Sequence, residues 1–179
     1  MAKTDAKYTD YLAETHKMLG RGGLLLASVD AQGNPNAMTI GWGTIGFSWN
    51  RPIFCVMVRP QTYTYGLIEV TGDFTVNIPT PALKKDVLYF GTVSGRDEDK
   101  FKVRGLTATP GRMVKSPIVE KCVIHYECKV VNKNDVLPDN LSDEIRDGIY
   151  RRRNIGFHRI YFGEILAVYA DADAKRILA

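Results

Sequence analysis

The sequence predicts a mainly β domain with helices inserted between strands, folded as a closed or nearly closed antiparallel barrel. Three observations carry this. Several segments of strand length alternate apolar and polar residues or run wholly apolar; turn-forming clusters separate them at short intervals; and the order lacks the regular strand-helix alternation of a doubly wound sheet.

Residues 8 to 19 place Tyr8, Tyr11, Leu12, Thr15 and Leu19 at spacings of three and four, the pattern of an amphipathic helix, which Gly20-Arg21-Gly22-Gly23 ends. Leu24 to Val29 and Asn36 to Trp42 flank the turn formers Asp30-Ala31-Gln32-Gly33-Asn34-Pro35 and read as a β-hairpin. Gly41, Gly43 and Gly46 weaken its second arm unless a backbone or a ligand approaches closely. Pro52 opens the apolar run Ile53 to Val58, a strand expected to be buried on both faces. A short helix from Tyr63 to Val70 leads to Gly72-Asp73 and a strand from Phe74 to Ile78. Thr80-Pro81 reads as an N-cap with proline at the first helical position, opening a helix to about Phe90. A loop, Gly91 to Gly95, and a charged turn, Arg96 to Lys102, follow. Cys122 to Asn132 and Phe157 to Ala170 read as strands, separated by a polar helix from Ser142 to Arg151.

The chain has 179 residues and near-average hydrophobic and charged content, which fits one domain over residues 1–179 with a sizeable core. A formal charge of +4 suits a small anionic ligand. The basic residues are spread along the chain, so no nucleic-acid footprint is expected, and Arg151-Arg152-Arg153 reads as a solvated helix end. No secretory signal and no apolar run of membrane length is visible, so the expectation is a cytoplasmic protein without a membrane partner. Cys55, Cys122 and Cys128 form an odd set without a Cys-x-x-Cys pair and are expected to be reduced and mostly buried.

Metal and hydrolase readings fail early. His16, His125 and His158 are far apart, and no Gly-x-Ser-x-Gly elbow, phosphate-loop or dinucleotide fingerprint occurs, so no metal site is expected. Anion and ring contacts remain. Arg59, Gln61, Thr62 and Thr64 cluster where a strand gives way to a helix N-terminus, a setting suited to a phosphate dianion. Taken alone, the stretch reads more simply as Thr62 capping the helix and Arg59 as a surface charge. The segment Asn36 to Trp42 offers backbone groups that a flat heterocycle could approach edge-on, or is an ordinary hairpin arm.

The ordered set decides between these readings. Asn36 to Trp42, Pro52 with the strand after it, Arg59-Pro60-Gln61-Thr62-Tyr63-Thr64-Tyr65, Gly72 to Ile78, Ser94-Gly95-Arg96 with Asp99-Lys100-Phe101, Pro117 to Glu120, and His158 before Phe162-Gly163-Glu164 together resemble the flavin-reductase-like FMN-binding family that includes flavoredoxin. The resemblance covers about residues 20 to 170. It implies a split β-barrel of antiparallel Greek-key type and a homodimer with FMN near the subunit boundary. It further implies that Met38, Thr39, Ile40, Gly41 and Trp42 hold the ring edge through backbone contacts and the Thr39 side chain. Arg59, Gln61, Thr62 and Thr64 would receive the phosphate, with Asn77 supporting that pocket. Lys100 would contact the cofactor or a partner subunit, or else belong to a solvated charge turn. His158 would sit near the redox-active part of the ring, or else be a structural histidine. Two departures stand out: Gln61-Thr62 replaces a frequent Ser-Arg, and Phe90-Gly91 replaces a frequent Cys-Gly.

The implied activity is a flavin reductase moving electrons from NADH or NADPH through FMN to free flavin, ferric ion or a protein acceptor. An electron carrier with a redox-protein partner and no nicotinamide turnover, or an FMN-binding module without turnover, are the alternatives. The fold cannot choose among them.

Overall fold

The computed structural model describes residues 3–179. Its frame is one antiparallel sheet built from β2 (Leu24–Val29), β3 (Pro35–Ile40), β4 (Gly43–Ser48), β5 (Arg51–Val58), β6 (Asp73–Ile78), β9 (Ile124–Asp135) and β10 (Arg159–Ala170), in the order β3-β2-β6-β9-β10-β5-β4. A short β1 (Thr4–Asp5) adds to β10, and β7 (Ala108–Thr109) pairs β8 (Ile118–Val119) apart from the sheet. Six α-helices lie among the described residues: α1 (Leu12–Arg21), α2 (Tyr63–Thr71), α3 (Lys84–Thr92), α4 (Lys100–Arg104), α5 (Asp143–Ile145) and α6 (Ala174–Leu178). None of the described helices is long and apolar enough to cross a membrane.

The predicted arm over Asn36–Trp42 divides in two. Strand β3 stops at Ile40, Gly41 and Trp42 turn the chain, and β4 pairs with β5 through a tight turn in which Trp49 and Asn50 both have positive φ. The glycines assist the second hairpin: a Cβ on Gly43 would lie 2.7 Å from the Cys55 carbonyl oxygen, so only glycine allows that backbone approach.

Strands β3 and β4 stand at opposite ends of the sheet order, yet two residues join them. Their ends are therefore at most about 11 Å apart, but no ladder forms between them. The sheet curls into a barrel and leaves a seam, so the closed alternative of the sequence reading is corrected to an open, split barrel.

Two clusters fill the structure. Leu24, Leu26, Phe54, Phe74, Val76 and Tyr126 are among the side chains packed inside the barrel, where each large apolar group contributes about 1.5–3 kcal/mol of transfer free energy. Leu25, Ala27 and Ala37 point outward and are covered by Val87 and Phe90 of α3, Phe101 and Leu106. Strand β2 is accordingly buried along its whole length. Strand β5 was expected to be buried on both faces and is not: Ile53, Phe54, Val56 and Val58 are buried, whereas Cys55 and Met57 are half-exposed on a face that no helix fully covers.

Local signals read as expected at several ends. The Asp30 carboxylate accepts from the backbone N–H groups of Gln32 (2.9 Å) and Asn34 (2.8 Å) to close the first hairpin. Thr62 caps α2, and Gly72 ends it at φ 70°. Thr80 does not cap; Pro81–Leu83 form a 3-10 turn that leads into α3. The charged turn after Gly95 holds a helix, because Asp99 caps α4 and Gly105 closes it at φ 59°. All three cysteines are free; Cys122 and Cys128 are buried.

Two buried carboxylates hold the loop before β8. Glu127 accepts from the backbone N–H groups of Arg112 (2.8 Å), Met113 (2.6 Å) and Val114 (3.2 Å) and from the Tyr169 hydroxyl (2.6 Å). Asp73 accepts from the N–H groups of Lys115 (3.1 Å) and Ser116 (3.0 Å) and from the Ser116 hydroxyl.

Candidate functional site at the barrel seam

The seam opens into a cleft. Its first wall is the chain from Met38 to Trp42, where β3 ends; Met57 and Arg59, at the end of β5, form the second; Arg153, Ile155 and His158, from the connection between β9 and β10, form the third. The cavity measures about 250 Å³. A larger trough of about 550 Å³ continues from Gly41, Trp42 and Met57 along β4 and β5 to Phe162 and α1. The two together reach the size of an ordinary small-molecule site, with an apolar stretch running into a cationic end.

His158 sits between aromatic rings. Its centroid is 4.8 Å from that of Trp42, and its Nδ1 shares a 3.1 Å hydrogen bond with the Tyr150 hydroxyl. Burial, aided by the positive Arg59, pushes its pKa down to about 4. The imidazole is therefore neutral at pH 7 and keeps one ring nitrogen able to donate.

Arg59 is half-buried where β5 gives way to α2. The turn that carries it is tied at several points. The Thr62 hydroxyl donates to the Arg59 carbonyl at 2.9 Å and the Thr62 N–H reaches the same oxygen at 3.0 Å. The Arg96 guanidinium donates to the Gln61 carbonyl at 3.1 Å and lies over the Tyr63 ring. Gly95 makes this possible, since a Cβ there would fall 2.3 Å from Asn36 Oδ1. The Ser94-Gly95-Arg96 motif thus supports the loop that presents Arg59.

Of the residues expected at the site, Met38, Thr39, Ile40, Gly41, Trp42, Arg59 and His158 meet in the cleft. The Thr39 hydroxyl donates to the Val87 carbonyl of α3 at 2.5 Å, which leaves its backbone, not its proton, for a ligand. Gln61 is exposed beside Gly156, Thr62 caps α2, and Thr64 is buried, accepting from the Asn36 amide at 2.8 Å. None of these three lines the cleft.

Asn77 and Lys100 lie behind it. The Asn77 amide donates to the Leu25 carbonyl and Thr75 hydroxyl, and its oxygen accepts from the Val119 N–H (3.0 Å) and from His125 Nδ1 (2.7 Å). Both ends of that amide are taken in the interior. Lys100 is 3% exposed and donates to the Phe90 carbonyl at 3.2 Å over the Phe90 ring; burial lowers its pKa to about 8. It is not a member of a solvated charge turn.

The sequence reading missed Met57, Tyr150, Arg153 and Ile155. For Arg153 a signal existed in its place in the same connection as His158, but adjacent arginines read first as a helix end.

A model of the flavin reductase like domain matches residues 18–179. The chain belongs to that family. A relative from Archaeoglobus fulgidus is 32% identical over 139 residues, 77% of this chain and 67% of that one. Among solved structures, flavoredoxin of Desulfovibrio vulgaris superposes with a TM-score of 0.67 at 29% identity, covering 84% of this chain and 70% of its own. A split barrel domain from Shewanella frigidimarina superposes with a TM-score of 0.68 at 21% identity, covering 89% and 74%. The fold is therefore the split barrel of flavin-reductase-like proteins, and the family supports a flavoprotein oxidoreductase in general terms.

Proposed function

We propose that the cleft binds FMN and that the protein is an NAD(P)H-dependent flavin reductase, passing electrons from a nicotinamide through FMN to an acceptor. The observation that carries this is the convergence of Arg59, the Met38–Trp42 backbone and a neutral His158 on one cleft at the barrel seam. The residues present fit the group: a cationic end for a phosphate, an apolar trough bounded by Trp42 and Met57 for a flat ring, and no carboxylate among the lining residues to repel an anion. Bound FMN would supply the chemistry, accepting a hydride and releasing electrons singly or in pairs.

The chain's part is binding and position. Arg59 would hold the phosphate beside the N-terminus of α2, which Thr62 caps and Thr64 ties to Asn36. Backbone groups from Met38 to Trp42 would hold the ring edge. His158, held by Tyr150 and packed on Trp42, would offer the bound ring a neutral hydrogen-bonding group. Gln61 shapes the loop against Gly156, while Asn77 and Lys100 act from behind, through the β2–β6 network and the seat of α3. A homodimer covering the seam, at work in the cytoplasm, completes the reading.

Arg59→Ala tests the cofactor assignment. It should weaken FMN by about 1.5–3 kcal/mol and leave riboflavin unchanged, measured by fluorescence titration. Equal affinity of the wild type for FMN and riboflavin would defeat it. A second reading, an electron carrier with a redox-protein partner, is favoured by the 29% identity to a flavoredoxin. Steady NAD(P)H oxidation by the purified protein selects the reductase, and its absence alongside reversible photoreduction selects the carrier.

A further inference from the structure

The connection between β9 and β10 brings a second cation to the cleft. Of its three consecutive arginines, Arg151 is compensated by Asp147 at 3.0 Å. Arg153 lines the cavity and has no ion-pair or hydrogen-bond partner among the described residues, and the same holds for the Arg59 side chain across from it. Two guanidiniums thus line one cleft with no carboxylate among the lining residues. A bound anion offsets the repulsion between them.

The position of Arg153 is built, not incidental. After α5 the helix widens into a π-helical stretch over Arg146–Arg151, a local distortion that often accompanies function. Arg146 pins it through Asp143 at 2.5 Å and Asp147 at 3.0 Å. Tyr150, 3% exposed, stacks on Phe157 at 4.6 Å and meets Trp42 edge-on at 6.0 Å. Asn154, at φ 49°, then turns the chain back, with its N–H on the Arg151 carbonyl and the Ile155 N–H on the Tyr150 carbonyl. The turn is thereby anchored against the cleft wall.

We propose that Arg153 and Arg59 form a two-sided clamp for a phosphate monoester, with Arg153 a specificity-determining residue at the mouth of the cleft. Guanidinium forks suit such a group because each can place two N–H donors on its oxygens. The phosphate belongs either to the flavin's ribityl chain or to the 2′ position of NADPH. This rests on the reading that flavin and nicotinamide meet at the seam.

Arg153→Ala removes an exposed side chain with no ion-pair or hydrogen-bond partner among the described residues, so the melting temperature should not fall. Calorimetric titration of flavin-free protein with FMN against riboflavin, and with NADPH against NADH, reads the two sources. The variant should lose about tenfold in affinity for the phosphorylated member of one pair and nothing for the other member, with Arg153→Lys recovering part of the loss. Loss confined to FMN assigns the clamp to the flavin; loss confined to NADPH assigns it to the donor. Identical affinities for all four ligands in wild type and variant would overturn the clamp. If wild type takes up no flavin, the functional reading fails separately, and inorganic pyrophosphate then decides the clamp. It should raise the pKa of the His158 imidazole in wild type, by NMR, and not in Arg153→Ala; no shift in wild type would overturn the clamp as well.

Discussion

His158 and His125 are both held neutral by burial, with different consequences. His158 faces the cleft, and loss of its side chain should leave FMN bound while slowing flavin reduction by NAD(P)H. Stopped-flow reduction under anaerobic conditions measures that step alone. A fall in kcat and kcat/KM together marks an interaction made in the transition state, whereas a rise in KM alone marks donor binding; an unchanged rate would make His158 structural. His125 is fully buried, its Nδ1–H on Asn77 and its Nε2 without a partner among the described residues. Burial first, then the charge of Lys3, pushes its pKa down to about 3. The folded chain therefore binds fewer protons than the unfolded chain between pH 6.5 and 3, and stability falls as pH falls through that window. The slope approaches about 1.4 kcal/mol per pH unit for each such histidine. Urea midpoints at pH 7, 6 and 5, compared between wild type and His125→Gln, should converge as pH falls; parallel curves would contradict a buried neutral His125.

At the scale of elements, the loop from Gly111 to Ser116 is fixed by carboxylates instead of by a sheet. Glu127→Ala would strand three backbone N–H groups and the Tyr169 hydroxyl, and should cost about 3–5 kcal/mol, the range for breaking a buried charged network. Chemical denaturation measures it, and a loss below about 1 kcal/mol would mean that the loop finds water instead. Helix ends, by contrast, were written locally. Thr62 with Gly72 could be read directly as start and stop. Asp99 and Gly105 carry the same signals for α4, but dense charge around them resembled a solvated turn. Strand β4 was hidden because glycine ordinarily weakens strands; at Gly43 it permits the close approach of β5, a contact with no local trace.

The whole molecule exposes apolar side chains along its open edge. Phe47 is 62% and Trp49 58% exposed, both on or beside β4, the unpaired end of the sheet, and Trp49 lies edge-on to Phe162 at 5.6 Å. Such a patch beside a seam calls for cover, and the expected cover is a second copy of the chain. Sedimentation at micromolar concentration should give a dimer, with Trp49→Glu shifting it toward monomer and weakening FMN in parallel. A wild-type monomer that binds FMN fully would refute the dimer.

Short-range patterning marked the long strands apart from β4, the turn between Val29 and Pro35, and the ordered motifs that point to the family, because alternation, caps and turn chemistry act over a few residues. Long-range strand pairing places β3 and β4 at opposite margins of one curled sheet, and it makes this seam gather Arg59, Arg153 and His158 while Asn77 is spent in the interior. Those outcomes depend on which distant strands pair and which side chains the pairing leaves unsatisfied. No local pattern encodes that, because the free energy that selects it comes from contacts between parts of the chain far apart in sequence.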